Sequence, residues 1–386
     1  MSAPSSTGRP IRFLALFPQL LGHGGVQEAG RQTALALDEL SRRYGFSAEF
    51  LSLNDSPPVC SFVLGGREIS IRAFGRSKFS FVIAVLRAAR SLEASGPRII
   101  LAFHPNLAPP ASWAAFASPG AKLAVVSHGV DVWQALPASR RRALHRADIA
   151  LAPSEFTCER LHTVQHVAQE KIRRLPWALS PEVLSLADSP EKLTPPPAFP
   201  VGRVVLAVGR WAASERYKGA DDLIRAVAQL RSSIGELQLV LVGSGDDLPR
   251  LQQLARTSGV SEDVHFFSGI SNEALAACYS RAEIFALPSS GEGFGFVFLE
   301  AMAFRKPVIA AAAGGATDIV RSEVNGLLVP PGDAQQLAAA FTRLLGDNRL
   351  REQLGKRGEE IARRELSFSS FFTHLESLLC ELNFLP

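Results

Sequence analysis

Residues 189–219 read SPEKLTPPPAFPVGRVVLAVGRWAASERYKG, and the order of the pieces sets the architecture. The first twelve residues hold five prolines. Each proline lacks an N–H and fixes φ, so no strand or helix interior accommodates that density. The segment 189–200 is therefore expected to be a stiff linker, and it falls near the middle of 386 residues. Val204–Val208 then forms a short apolar run, the pattern of a strand buried on both faces. Gly209 ends that run, and Gly219 opens a helical pattern over Ala220–Ser232. A strand–turn–helix unit directly after a linker marks the start of a second α/β domain.

The same rhythm extends both ways from this point. Before it, strands are expected near Ile11–Leu16, Glu49–Leu53, Arg98–Phe103, Lys122–Ser127 and Asp148–Ala152, with a helix at Val26–Leu40 and an antiparallel piece at Cys60–Phe74. After it, strands are expected at Leu237–Val242, Val264–Phe267, Ile284–Leu287, Pro307–Ala310 and Gly326–Val329, with a helix at Ala334–Leu345. Strands alternating with helices give parallel sheets. The expected fold is α/β, two doubly wound Rossmann-like domains facing across a cleft: residues 1–188, the linker 189–200, residues 201–366, and an amphipathic tail 367–386. Such sheets bind ligands at the carboxyl ends of their strands.

Composition bounds the function. With 47% hydrophobic and 20% charged residues the chain is an ordinary globular one, not disordered, collagenous or coiled-coil. No apolar run approaches the ~18 residues of a spanning helix. Ile11–Leu21, interrupted by Arg12 and Pro18, reads as a first strand rather than a secretory signal. Cys60, Cys158, Cys278 and Cys380 lie far apart without metal-type spacing, which points to a reducing, cytoplasmic setting. The first 190 residues carry 21 Lys/Arg against 14 Asp/Glu; the rest carry 20 against 23. A basic first half suits an anionic partner, or is ordinary charge scatter.

Three loops carry the chemistry. LGHGGVQEAG at 21–30 follows the first strand; Gly24 and Gly25 allow close backbone approach to an anion at a helix start, though a plain strand–helix turn reads the same way. GRWAASERYKG at 209–219 puts Arg210 and Lys218 where both could reach one anion, or stand as two solvated cations. SSGEGFGFVFLEAMAFRKP at 289–307 places Glu292 in a glycine-rich loop and Glu300 eight residues on, inside a helix. A phosphate at the helix amino end and carboxylates accepting from hydroxyls would suit a ligand with a phosphate between two hydroxyl-bearing rings. The adjacent acidic pairs Asp221–Asp222 and Asp246–Asp247 read as solvated, and no Asp-x-Asp metal motif ends a strand.

EGFGFVFLEAM at 292–302, with KPVIAAAAGGATDIV, NGLLVPPGD, VVSHGVDVW around His128, APSEFTCERL, LVGSGDD and SFSSFF, resembles the retaining GT-B glycosyltransferases of family 4 (glycosyl transferases group 1) across nearly the whole chain. That resemblance implies a hexosyltransferase using a nucleotide-diphosphate sugar, with no metal and no further cofactor. It implies that Arg210 and Lys218 bind the diphosphate, Glu300 the ribose, and Glu292 the donor sugar. Phe294, Gly295 and Phe296 would offer amides, Gly24 and Gly25 would close on the diphosphate, Ile270 would lie beside the base, and His128 would face the donor sugar. It implies front-face displacement, in which the leaving phosphate helps deprotonate the acceptor. It implies too a first domain that takes the acceptor and a final helix that crosses back to it.

RAFGRSKFSFVIAVLRAAR at 72–90 and Arg140, Arg141, Arg142 and Arg146 suggest an anionic membrane surface and a glycan or lipid-linked acceptor; Phe79–Leu86 reads equally as helix core. The expectation is a cytoplasmic enzyme, peripheral on the membrane's inner face, in bacterial surface polysaccharide or glycolipid synthesis. No helix-turn-helix, RNP or zinc pattern accompanies the charges, so nucleic acid is not expected. A non-catalytic sugar-nucleotide-binding subunit, an epimerase or an inverting transferase stays open.

Overall fold

The computed structural model describes residues 10–22, 24–56, 59–92 and 96–385. The chain forms two compact units, Met1–Ala178 with Phe368–Pro386, and Leu179–Ser367.

The first unit is built on an eight-stranded sheet. Its strands are β1 (Ile11–Phe17), β2 (Ser47–Ser52), β3 (Val59–Leu64), β4 (Arg67–Ala73), β5 (Ile99–Ala102), β6 (Lys122–Val126), β7 (Ile149–Ala152) and β8 (Ile172–Arg174), in spatial order β3-β4-β2-β1-β5-β6-β7-β8. All neighbours are parallel except β3 and β4. That hairpin turns on Gly65 and Gly66, both at positive φ, as a two-residue loop between paired Leu64 and Arg67 requires. Strands β5 and β7 are apolar throughout, and β1 and β6 are apolar after Arg12 and Lys122, because helices cover both faces. Helices Lys78–Arg90, Ala108–Ala117 and Ala138–Arg146 share one buried cluster on one face, through Phe81, Val85, Ala111, Ala114 and Leu144. So the Phe79–Leu86 stretch is largely helix core from Phe81 onward, and its first two residues, Phe79 and Ser80, stand exposed. Helix Gly25–Arg43 packs beside the final helix, Phe368–Glu381. Arg43 and Tyr44 both reach Glu376, at 2.9 and 3.0 Å. Strand β8 was not anticipated: it is a three-residue edge strand that exposes Arg174 and carries no apolar run.

The second unit has a six-stranded, wholly parallel sheet: β9 (Arg203–Val208), β10 (Leu237–Val242), β11 (Val264–Phe267), β12 (Ile284–Leu287), β13 (Val308–Ala311) and β14 (Gly326–Val329), ordered β11-β10-β9-β12-β13-β14. The direction of winding reverses between β9 and β12. A crevice opens there at the strands' carboxyl ends, since the helices that follow leave to opposite faces. The loops after β9 and β12 are the two glycine-containing stretches singled out above.

The expected linker is placed differently. The chain passes between units at Ala178–Leu179, ahead of the proline-rich segment. Gln32 pins Ala178 to the first unit, its amide donating to the Ala178 carbonyl (2.9 Å) and its oxygen accepting the Ala178 N–H (3.2 Å). Helix Pro181–Ala187 and the turn Pro190–Lys192 pack on helix Asn272–Arg281 of the second unit. Proline density reports stiffness, and here the stiff segment lies along the second unit.

Candidate functional site

The loop after β9 is held from below by the turn after β10. The Gly209 N–H donates to the Val242 carbonyl (3.0 Å), Trp211 N–H to Ser244 (2.8 Å), and Asp247 N–H back to Trp211 (3.0 Å). A Cβ at Gly243 or Gly245 would collide with the carbonyl oxygens of Gly209 and Trp211, so LVGSGDD needs glycine at both places. Asp246 accepts the Ala213 N–H (2.8 Å), and Asp247 accepts from Arg216 (3.0 Å) and Arg250 (2.6 Å). Arg250 also grips Asp221 with both nitrogens, at 2.6 and 2.7 Å. The reading as solvated is thus corrected for Asp247 and Asp221, while Asp246 is exposed, as that reading expected. Asp247 is buried, and bonds from Arg250 hold the carboxyls of both Asp221 and Asp247 below the usual carboxylate range. Their work is to fix the loop.

On that frame sits a charged cluster. Lys218 Nζ donates to Glu292 Oε1 at 3.0 Å and lies 3.9 Å from Glu215; Arg210 pairs with the other Glu215 oxygen. The two loops are tied by Ser290 N–H to the Tyr217 carbonyl (2.8 Å). Gly219, at φ 78°, passes so close to the Pro288 carbonyl that a Cβ would lie 2.8 Å from its oxygen. The Glu292 carbonyl accepts the Gly315 N–H at 2.7 Å. The structure therefore brings Arg210, Lys218 and Glu292 together, with Glu215 as an unforeseen fourth member. Two cations stand against two carboxylates, so an anion entering here must compete for the cations.

Gly295, at φ 101°, begins helix Phe296–Ala303, which presents its free amides at the same loop. Phe294 is buried, edge-on to Phe296 at 5.6 Å. Glu300 accepts the Tyr279 hydroxyl at 2.7 Å. Burial, reinforced by Glu300, pushes the Tyr279 hydroxyl well above its ordinary pKa, so it stays a donor. Ile270 lies on the loop after β11, half-buried, and is not part of the ion-paired cluster.

In the first unit, Gly24 at φ 135° starts helix Gly25–Arg43. Its loop is clamped by two residues that the motif reading missed. Buried Asp55 accepts the N–H groups of Leu20 (2.7 Å) and Leu21 (3.2 Å), while Arg31 donates to the carbonyls of Leu20 (2.8 Å) and Gly22 (3.0 Å). His128 follows β6. Its Nε2 bonds the Phe103 carbonyl at 2.8 Å; an oxygen can only accept, so Nε2 carries the proton and Nδ1 keeps its lone pair. The ring lies 5.7 Å from Trp177 at 25° and 4.9 Å from Phe103. Burial lowers its pKa to about 4, against a smaller upward pull from the Phe103 bond. Asp131 caps the turn, accepting the N–H groups of His128 (3.0 Å) and Gly129 (2.7 Å).

Two family models match the chain, one over the cation–carboxylate cluster of the second sheet and one over most of the first unit, His128 included. Residues 196–361 match "Glycosyl transferases group 1", and residues 29–183 match "Glycosyltransferase Family 4". The chain belongs to this glycosyltransferase family. The GDP-mannose-dependent alpha-(1-6)-phosphatidylinositol monomannoside mannosyltransferase of Mycolicibacterium smegmatis is 32% identical over 63% of this chain and 66% of its own length. A D-inositol 3-phosphate glycosyltransferase of Salinispora arenicola is 41% identical over 40% of this chain and 36% of its own. The matched stretches of these two thus span from about a third to about two thirds of their own length. Two solved structures share the fold of this glycosyltransferase over nearly its full length. Anabaena HepE in complex with UDP has a TM-score of 0.70 at 19% identity, covering 96% of this chain and all of its own. The sucrose-phosphate synthase of Thermosynechococcus elongatus has 0.73 at 24%, covering 97% and 99%. The fold class is GT-B. Among the described residues no helix is long and apolar enough to cross a membrane.

The residues that sequence reasoning overlooked in this glycosyltransferase act through partners distant in the chain. Tyr279 stands 21 positions before Glu300 and Asp55 stands 35 after Leu20. Glu215 had a local signal: it is three residues before Lys218, one helical turn, and of opposite charge.

Proposed function

We propose that this glycosyltransferase moves a hexose from a nucleotide-diphosphate sugar to an acceptor hydroxyl with retention at the anomeric carbon, using no metal or further cofactor. The observation that supports it most is the Lys218–Glu292 pair at the switch point, with Arg210 attached through Glu215 and the amino end of helix Phe296–Ala303 beside it. Arg210 and Lys218 take the diphosphate, and the helix amides add donors that need no reorganisation. Glu292, released from Lys218, accepts from the sugar hydroxyls, and Glu300 accepts from the ribose. Amides at Phe294, Gly295 and Phe296 contact the sugar or phosphate, and Ile270 lies beside the base. From the first unit, Gly24 and Gly25 close on the diphosphate, and His128 offers its Nδ1 lone pair to a sugar hydroxyl. The anomeric carbon–phosphate oxygen bond breaks while the acceptor oxygen bonds to the same face. The acceptor's proton passes to the departing phosphate, so acceleration comes from positioning and charge stabilisation.

The relatives named for GDP-mannose and phosphatidylinositol mannoside, and the HepE structure holding UDP and glucose, are consistent with a nucleotide-sugar donor and a glycan or lipid-linked acceptor. We read the setting as cytoplasmic, on the membrane's inner face, in surface polysaccharide or glycolipid synthesis, without nucleic acid. A thermal-shift screen against nucleoside diphosphates and their sugars tests the core of this. A ligand at 100 times its Kd stabilises by about 2.7 kcal/mol. One selective nucleotide should do so, and Lys218→Ala should abolish it. No shift with any nucleotide sinks the proposal, and an inverted product sinks the retaining part.

A further inference from the structure

The first unit carries an exposed aromatic ridge that nothing above uses. Phe116 is 90% exposed and Trp113 52% exposed, one turn apart on the same side of helix Ala108–Ala117. This helix packs against helix Lys78–Arg90 and helix Ala138–Arg146, and the buried faces of all three join one cluster. Each helix leads from one strand to another parallel to it, so the three run side by side in the same direction. Their carboxyl ends lie at one edge: Arg87 and Arg90 from the first, Phe116 from the middle one, and Arg146 from the third, with Arg142 one turn earlier on that helix. The three helices together hold seven Lys/Arg and no Asp or Glu. Among the described residues, Arg87, Arg90, Arg142 and Arg146 enter no ion pair. The nearby acids are engaged, Asp148 with Lys122 at 3.2 Å and Asp131 with the turn amides. A third aromatic, Phe79, is 78% exposed at the start of the first helix, beside Lys78.

We infer that this three-helix face is a membrane-docking surface for anionic lipid, with Trp113 and Phe116 entering the interface and the arginines on either side binding headgroups. The inference rests on the membrane-surface part of the proposed function and says which residues perform it. Trp and Phe at an amphipathic boundary with flanking cations are the combination that an anionic interface favours, because apolar burial and headgroup attraction add. The charge also argues against a second copy as occupant. In a two-fold contact the same cations would face one another, seven on each side without a carboxylate.

The test uses the full chain and vesicles of phosphatidylcholine alone or mixed with phosphatidylglycerol, at low salt. The chain should float with the anionic vesicles only. Trp113→Ser with Phe116→Ser should weaken this about tenfold or more, as should Arg142→Gln with Arg146→Gln. Trp177 and Trp211 are buried and Trp133 is half-buried, so Trp113 is the indole that a lipid reaches. Brominated acyl chains should quench its emission, and the quenching should vanish in Trp113→Phe. Unchanged nucleotide binding by the variants shows that they fold and separates this result from the donor-site reading. Binding to anionic vesicles that survives the aromatic pair's loss, or occurs without bromolipid quenching, overturns the inference. So does wild-type binding to a polyanion such as RNA but not to vesicles. No vesicle binding at all removes the membrane part of the proposed function as well. A wild-type dimer that the aromatic variant dissociates would assign the ridge to self-association instead.

Discussion

Replacing Tyr279 with Phe removes one oxygen and little else. The ring lies nearly parallel to Phe304 (9°, 5.9 Å) and tilted on Phe285 (5.7 Å), contacts that phenylalanine keeps. What goes is the 2.7 Å bond from the hydroxyl to Glu300 Oε2. Hydrogen bonds to a charged group contribute about 1.5–3 kcal/mol, so urea unfolding of the second unit should lose about that much. Glu300, less firmly oriented, should bind nucleoside diphosphate about tenfold more weakly, as 1.4 kcal/mol per decade implies. The decisive readout is calorimetric titration of each protein with the ribonucleotide and its 2′- or 3′-deoxy analogue. If Glu300 takes the ribose hydroxyls, the preference for the ribonucleotide should shrink in the variant. A stability loss with that preference unchanged would refute the reasoning and leave Tyr279 as a packing residue.

Glu215→Gln removes the carboxylate that competes for Arg210 and Lys218, and nucleoside diphosphate should bind roughly fivefold tighter, about 1 kcal/mol for a partly exposed pair; weaker binding by titration would mean that Glu215 positions the cations instead. His128, with its pKa near 4 in the folded chain against 6.5 unfolded, takes its proton more readily when unfolded. Stability should therefore rise with pH between about 4 and 6.5 and be flat above, by at most about 3 kcal/mol before the ring's residual exposure trims it. His128→Asn should flatten that part of the denaturation profile, and an unchanged profile would contradict a neutral buried imidazole. Gly243→Ala sets a methyl against the Gly209 carbonyl, so it should cost about 2 kcal/mol or more and weaken nucleotide binding through the Arg210 loop; calorimetric melting at wild-type temperature would show the approach to be looser than drawn.

The strands of the second unit were legible almost to the residue. Runs such as Leu239–Val242 and Ile284–Leu287 are buried on both faces, so they are apolar from end to end and stop where glycine or proline begins. Strand β8 fails that signature because a short edge strand need not be apolar. The unit boundary was misplaced because composition marks Pro195–Pro197 but not Gln32, whose grip on Ala178 spans 146 positions. The glycine loops and Lys218, Glu292 and Glu300 stood out as motifs. Asp55, Asp247, Glu215 and Tyr279 did not, since a lone carboxylate or tyrosine acquires its role only from the partner that folding brings to it.

The second unit is a continuous stretch inserted between Ala178 and Phe368, whereas the first is closed by residues far down the chain. Phe371, Leu375, Leu378 and Leu379 are among its buried side chains, and Phe371 lies 5.9 Å from Trp177. During synthesis the second unit can therefore be complete while the first still exposes the apolar surface that this helix covers. The order of maturation runs opposite to the order of translation: the half made first is finished last. A nascent chain halted between Ser367 and Phe384 would carry a folded second unit and a sticky, unfinished first one, a natural target for chaperones and proteases.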